Sequence, residues 1–140
     1  MSLVLDSSVT LSWFFADERT TATASILERV VEHGAVVPAI WRLEVANALQ
    51  SALRRGRVDT AFRDATLRDL GQLDIVSDPD TSSHAWAETL QLADRFRLTL
   101  YDAAYLELAQ RRRLPLATLD RELHMAGQAL GTVLLATDTQ

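Results

Sequence analysis

Four acidic side chains occupy positions where they could act together on one substrate. Two of them follow short apolar runs, one lies near the start of a predicted helix, and the fourth lies within a helix that is otherwise largely apolar. Carboxylates held close together repel and raise one another's pKa, and a divalent cation relieves that conflict. The acids expected to form such a site are Asp6, Glu44, Asp102 and Asp120.

Three of these acids also have a simpler explanation at the start of a helix. Asp6 and Asp120 precede predicted helices and suit the N-cap position, and Asp102 follows Thr99 by three residues, as in a capping box. Glu44 has no such explanation, because the residues one turn to either side are apolar and offer no ion pair. A solvated polar helix face remains the alternative for Glu44.

The oxygen donors near these acids favour Mg²⁺ or Mn²⁺. Ser8, Asn47 and Thr118 supply hydroxyl and amide oxygens, which together with carboxylates are the ligands of hard cations. The chain has no Cys and its three His residues are scattered, so a zinc site is not expected. The His residues to which no catalytic role is assigned are His33, His84 and His124.

A site of this composition fits the hydrolysis of a phosphodiester. A divalent ion orients a water molecule, lowers its pKa and stabilises charge on the phosphate oxygens. The sequence contains no P-loop, no G-x-S-x-G elbow and no G-x-G-x-x-G turn, so no other catalytic motif competes. A metal-dependent nuclease is therefore the predicted activity.

Short apolar strands alternate with helices along the chain. Because parallel neighbours are joined by crossovers that are usually helical, this order predicts an α/β fold: a three-layer α/β/α sandwich with a central parallel sheet of about five strands. Ligands bind such sheets beyond the carboxyl ends of the strands, where Asp6 and Asp120 fall. Strands are predicted at 3–5, 35–37, 73–76, 115–118 and 133–135, and helices from about residue 9 and at 19–33, 38–55, 59–70, 82–96, 99–113 and 120–129.

Composition limits the remaining possibilities. A chain of 140 residues suits a single domain over residues 1–140. Its net charge of −5 argues against non-specific coating of nucleic acid, which depends on many cationic contacts, but not against an enzyme with a metal-loaded site. No apolar run approaches the roughly 18 residues of a membrane span, and the N-terminus lacks the pattern of a secretory signal. A cytoplasmic protein that does not enter membranes is expected.

Four motifs occur in order over nearly the whole chain: LVLDSSV, RLEVANAL, LYDAAYLELA and ATLDREL. Together they resemble the PIN-domain nucleases, and specifically the VapC-type toxins of type II toxin–antitoxin systems. The resemblance implies a PIN-like α/β/α fold, a Mg²⁺-dependent endoribonuclease, a homodimer, and a cognate VapB-type antitoxin that occludes the site. The alternatives are a metal-dependent DNase or phosphatase using the same acids, and a PIN-like binding protein with little or no activity.

The resemblance also assigns roles to individual residues. Asp6 and Asp102 match the principal metal ligands, whereas Glu44 and Asp120 bind the metal directly or through water. The supporting polar positions match Ser8, Asn47 and Thr118.

Two further expectations concern the surface. The apolar helices that carry Trp41 and Leu49 suggest a dimer interface. The run Arg111–Arg113 favours a solvated basic face. The Arg residues considered as possible phosphate contacts are Arg19, Arg112 and Arg121.

Overall fold

The computed structural model describes residues 2–135, which contain a five-stranded sheet. All the strand pairs are parallel, and the strand order is β3-β2-β1-β4-β5. The α/β/α prediction is thereby confirmed; β2 has the predicted bounds, β3 is shifted toward the C-terminus, and the other three strands are shorter than predicted. Their bounds are β1 (Val4–Leu5), β2 (Ala35–Val37), β3 (Ile75–Ser77), β4 (Leu116–Ala117) and β5 (Leu134–Leu135).

Helices connect the strands, and polar side chains define where several of them begin. Thr20 forms a capping box with Thr23, and the side chains of Asp59, Thr99 and Asp120 each accept a hydrogen bond from the backbone of the following turn. The helices are α1 (Ser7–Ser12), α2 (Thr21–His33), α3 (Trp41–Arg54), α4 (Thr60–Leu70), α5 (Thr81–His84), α6 (Glu88–Phe96), α7 (Leu100–Arg112) and α8 (Arg121–Ala129).

Two predicted helices differ from the structure. The helix predicted from residue 38 begins only at Trp41, because residues 38–40 form a turn in which the Ala39 N–H donates to the Thr81 hydroxyl. The helix predicted over 82–96 is divided into α5 and α6, because Ala87 leaves the helical region with φ −119° and ψ −103°. Both differences arise from local turns that apolar periodicity does not reveal.

Gly34 makes the tight passage from α2 to β2. Its φ of +75° lies in the left-handed region, and a Cβ there would lie 2.9 Å from the Asp74 backbone oxygen. Only glycine fits this position without strain. The turn brings β2 directly against β1 in the sheet.

The core is built on β1 and α7. Leu3, Val4 and Leu5 are fully buried, and every residue from Ala103 to Ala109 in α7 is buried. Trp41 and Leu49 also lie in this core, so these two side chains are not available to a dimer interface on the helix that carries them. None of the helices in residues 2–135 has the length and apolar character needed to cross a membrane.

Candidate active site

The order in which the chain adds strands to the sheet reverses between β1 and β4. The chain runs outward through β2 and β3 on one side of β1, and through β4 and β5 on the other. In open α/β sheets such a switch point forms a crevice at the carboxyl ends of the strands. Leu5 pairs with Ala117, so the next residues, Asp6 and Thr118, lie side by side at this crevice.

Asp6 is held there by hydroxyl groups. The Ser8 and Thr118 hydroxyls each donate to Asp6 Oδ2 at 2.7 Å. These hydroxyls in turn accept hydrogen bonds from the backbone N–H groups of Leu119 and Asp120 at 3.0 Å. Within residues 2–135 no hydrogen bond reaches Asp6 Oδ1, so this oxygen is the one left for a cation.

The predicted N-cap role of the Asp6 side chain is therefore wrong. Asp6 does occupy the N-cap position of α1, but its carboxylate makes no capping hydrogen bond. Its Oδ2 accepts hydrogen bonds from Ser8 and Thr118 instead. Both residues predicted to support the acids are therefore in contact with Asp6.

Glu44 approaches the same site from α3. Because α3 begins at Trp41, Glu44 lies in the first turn and not two turns into the helix as predicted. Its carboxylate is half-buried and accepts a short hydrogen bond from the Tyr105 hydroxyl of α7. The sequence analysis did not single out Tyr105, although it lies one turn after Asp102 in the motif YDAAY, which is the signal that could have identified it.

Asp102 and Asp120 complete the group from two helix starts. The Asp102 N–H donates to the Thr99 hydroxyl at 3.1 Å, which is half of the predicted capping box. Asp120 is an N-cap, since its Oδ1 accepts from the Leu123 N–H at 2.9 Å. The simpler explanation is thus correct for Asp120, and its second oxygen remains open to another role.

The pKa values of Asp6, Glu44 and Asp102 are all raised, in part by the charges of neighbouring acids. Burial raises the pKa of Asp6 to about 6, with added repulsion from Glu44 and Asp120, against the lowering effect of Ser8 and Thr118. Burial likewise raises the pKa of Asp102 to about 6, followed by the charges of Asp120 and Asp6. Burial and the Asp102 charge raise the pKa of Glu44, although Tyr105 opposes this. Hydroxyl groups, not basic side chains, provide the opposing effects.

The donor set fits a hard divalent cation. Mg²⁺ and Mn²⁺ bind oxygen ligands. The site offers carboxylates, which repel one another when they are ionised, together with neighbouring hydroxyl oxygens. Across residues 2–135, no three acidic or histidine side chains stand close enough to hold a metal ion as they are placed. Mg²⁺ usually keeps several waters and is bound through one or two carboxylates, so this spacing is compatible with such an ion, and Asp6 is already fixed through its Oδ2.

A groove of about 480 Å³ extends away from Glu44 between α1 and α3. Asn47 and Ser51 follow Glu44 along the same helix and line the groove beyond it. The Asn47 amide is exposed and makes no hydrogen bond to the acids within the described part of the chain. Asn47 therefore lies beside the site but outside the hydrogen bonds that join Asp6 to Ser8 and Thr118.

The basic run at the C-terminal end of α7 is only in part the expected solvated face, because Arg112 and Arg113 are exposed but Arg111 is not. Arg111 donates to both Asp78 and Glu107, whose carboxylates are buried, and Arg112 donates to Asp78 at 2.9 Å. Arg112 is therefore paired with a carboxylate and is not placed as a free phosphate contact. Arg19 is likewise engaged, because it donates to the Trp13 carbonyl at 2.7 Å.

Comparison with known proteins agrees with this geometry. The family model described as "PIN domain" matches residues 3–128. The chain belongs to the PIN-domain family. The resemblance expected from the four motifs is thus confirmed over most of the chain.

Among characterised relatives, this PIN domain is 31% identical over 136 residues to "Ribonuclease VapC3" of Pyrobaculum aerophilum, covering 94% of this chain and 99% of the relative. A crystal structure of PAE2754 from the same organism superposes with a TM-score of 0.69 at 26% identity, covering 96% of this chain and 83% of that one. A toxin–antitoxin complex from Klebsiella pneumoniae, at 20% identity and a TM-score of 0.57, covers 84% of this chain and 86% of its own and shares the fold.

Proposed function

We propose that this PIN domain is a Mg²⁺-dependent endoribonuclease of the VapC type, the toxin of a toxin–antitoxin pair acting in the cytoplasm, and that residues 1–140 form its single domain. The observation that carries the proposal is the convergence of Asp6, Glu44 and Asp102 at the switch point, all with raised pKa values and no basic partner among the causes. Family membership and the relative named as a ribonuclease support the choice of reaction.

Each acid would have its own role in such a site. Asp6 presents Oδ1 while Ser8 and Thr118 hold Oδ2. Asp102 faces it from the first turn of α7, and Glu44 from the first turn of α3. Asp6 and Asp102 would bind the cation, and Glu44 and Asp120 would bind it directly or hold its water. When bound, the cation supplies an activated water and stabilises charge on the phosphate.

The partners follow from the same family. The superposition on a toxin–antitoxin complex supports a VapB-type antitoxin, and a basic antitoxin side chain would suit the anionic site. We also propose a homodimer. Since Trp41 and Leu49 lie in the core, the dimer must use exposed apolar side chains, of which Trp86 is 92% exposed.

Cleavage assays test the substrate class. The purified, antitoxin-free protein is incubated with Mg²⁺ or Mn²⁺ and with RNA, DNA or a phosphomonoester, and each reaction is repeated in EDTA. The proposal expects internal cuts in RNA that EDTA abolishes and that Asp102→Asn loses. Asp94→Asn, which changes an exposed acid on α6, is the matched control and retains activity. Preferential cutting of DNA or the monoester would assign the site to the competing activities.

A further inference from the structure

Tyr105 is a buried aromatic residue with its hydroxyl in the candidate active site. The side chain is 0% exposed, within a stretch of α7 that is buried on all sides. Its hydroxyl donates to Glu44 Oε1 and so joins α7 to α3 beside the acids. A buried Tyr normally satisfies its hydroxyl somewhere, but here the acceptor is one of the four acidic residues.

The Tyr105 hydroxyl is an uncharged donor, and its hydrogen bond to Glu44 joins α7 to α3 directly. It therefore restrains the Glu44 carboxylate without cancelling the negative charge that a cation needs.

Glu44 needs such a restraint. Its side chain is long, and ordering a Glu side chain costs roughly 1.5–2 kcal/mol of rotamer entropy. Glu44 is only half-buried, and its carboxylate lies near the charge of Asp102, which repels it. Tyr105 has few rotatable bonds and its ring is packed in the core, so its hydroxyl is a stationary donor.

We propose that Tyr105 is a positioning residue, whose hydroxyl holds Oε1 of Glu44 so that the carboxylate presents one conformation to the cation shared with Asp6 and Asp102. The inference rests on the proposed function, because it presumes that a cation binds there. Tyr105 touches neither cation nor substrate in this role and acts through Glu44.

Cation binding tests this role without any turnover. Mn²⁺ binding to RNA-free protein is measured from the electron paramagnetic resonance signal of free Mn²⁺, for wild type and Tyr105→Phe. Removing an outer partner of a metal ligand typically weakens metal affinity by about 10- to 100-fold, and we expect a loss in this range. Tyr101→Phe is the matched control, because Tyr101 lies on the same helix, is 59% exposed and should bind Mn²⁺ like wild type.

A double-mutant cycle separates positioning from general damage to the fold. If Tyr105 acts through Glu44, Tyr105→Phe weakens Mn²⁺ binding in the wild-type background but changes nothing in a Glu44→Ala background, where no side-chain oxygen is left for the hydroxyl to hold. A purely structural role would lower affinity equally in both backgrounds and would overturn the proposal, as would a Tyr105→Phe protein with wild-type affinity.

A second variant covers a failure of Tyr105→Phe to fold. Glu44→Asp keeps the charge and the buried Tyr105 but shortens the reach to the hydroxyl, so it should lose Mn²⁺ affinity to a similar extent. Wild-type affinity in Glu44→Asp would contradict the role. A wild-type protein that binds Mn²⁺ but cuts no RNA would overturn the proposed function, and the cycle would still decide the role of Tyr105.

Discussion

At the scale of single residues, the site depends on how one carboxylate is held. Asp6 is only 4% exposed, and one of its oxygens accepts two hydroxyl hydrogen bonds at 2.7 Å. Those hydroxyls are themselves oriented by backbone N–H groups at the start of α8. The position of Asp6 therefore depends on polar groups that come from α1 and the segment after β4.

Removal of the Thr118 hydroxyl tests this arrangement. Thr118→Val keeps the shape of a buried side chain but removes one of the two donors to Asp6 and the acceptor for the Asp120 N–H. We expect a loss of about 1–3 kcal/mol in the free energy of unfolding and a fall of about 10- to 100-fold in RNA cleavage. Chemical denaturation and initial cleavage rates measure the two effects. A Thr118→Val protein with wild-type cleavage would show that the second hydroxyl is dispensable.

The raised pKa of Asp6 predicts how stability depends on pH in metal-free buffer. The folded protein, with a pKa of about 6, binds this proton more tightly than the unfolded chain, whose Asp pKa is near 3.8. Stability therefore rises as pH falls from about 7 to 4, and ionised Asp6 costs about 3 kcal/mol above that window.

The check is thermal unfolding in EDTA between pH 4 and 8. Asp6→Asn should make the profile less steep, leaving the part due to Asp102 and Glu44, and should raise the melting temperature at pH 8, and added Mg²⁺ should stabilise the wild type at pH 8 more than at pH 5. A wild-type protein that becomes more stable as pH rises through 6 would contradict the raised pKa.

At the scale of elements, Arg111 ties the C-terminal end of α7 to the segment after β3. Its guanidinium lies 2.6 Å from Asp78 and 2.7 Å from Glu107, and the Asp78 side chain is fully buried. Burial alone would raise the pKa of Asp78, but hydrogen bonds from Arg111 and Arg112 outweigh it and hold that pKa far below its ordinary value. This ion-pair cluster lies apart from the four acids and stabilises the helix that carries Asp102.

Replacement of Arg111 should therefore destabilise the fold strongly. Arg111→Met leaves two buried carboxylates without their shared partner, and we expect a loss of about 3–5 kcal/mol in the free energy of unfolding by urea denaturation. Because the pKa of Asp78 is lowered on folding, this contribution is present at neutral pH and declines as pH falls below about 4. Arg113→Met, at the exposed neighbouring position, should cost far less. Equal effects of both substitutions would show that the cluster is not a stabilising one.

The elements that could be predicted from sequence are those whose signals are local. Asp59, Thr99 and Asp120 stand at the predicted starts of their helices because an N-cap depends on only a few neighbouring residues. The break at Ala87 was missed because no glycine or proline marks it. The bonds of Tyr105 to Glu44 and of Arg111 to Asp78 join residues far apart in sequence, and spacing within one helix cannot reveal them.

At the scale of the whole molecule, the sheet order brings distant motifs to one edge. β1 lies between β2 and β4, so the residue after β1 meets residues that follow β4 more than a hundred positions later. Two acids of the site, Asp6 and Asp120, could be placed from sequence because they follow strands of a parallel sheet. Glu44 and Asp102 lie on helices, and their approach depends on how α3 and α7 pack over the sheet.

The assembly proposed for this family member gives a prediction at the same scale. The purified protein should have the mass of a dimer in light scattering, and Trp86→Ser should shift the population toward monomer if this exposed side chain lies in the interface. Leu43→Ser, at another exposed apolar position, serves as the comparison. A monomeric mass for the wild type at micromolar concentration would remove the homodimer from the account.

We propose that the acids at the switch point bind the cation on which RNA cleavage depends. The most direct measurement is the cleavage of one end-labelled RNA as Mg²⁺ is titrated, with wild type, Asp6→Asn and Asp94→Asn. The RNA is one that the wild-type protein cuts in total RNA. We predict metal-dependent cleavage by wild type and Asp94→Asn. We predict no cleavage by a folded Asp6→Asn protein at any Mg²⁺ concentration. Cleavage by Asp6→Asn at the wild-type rate, or by wild type in EDTA, would contradict it.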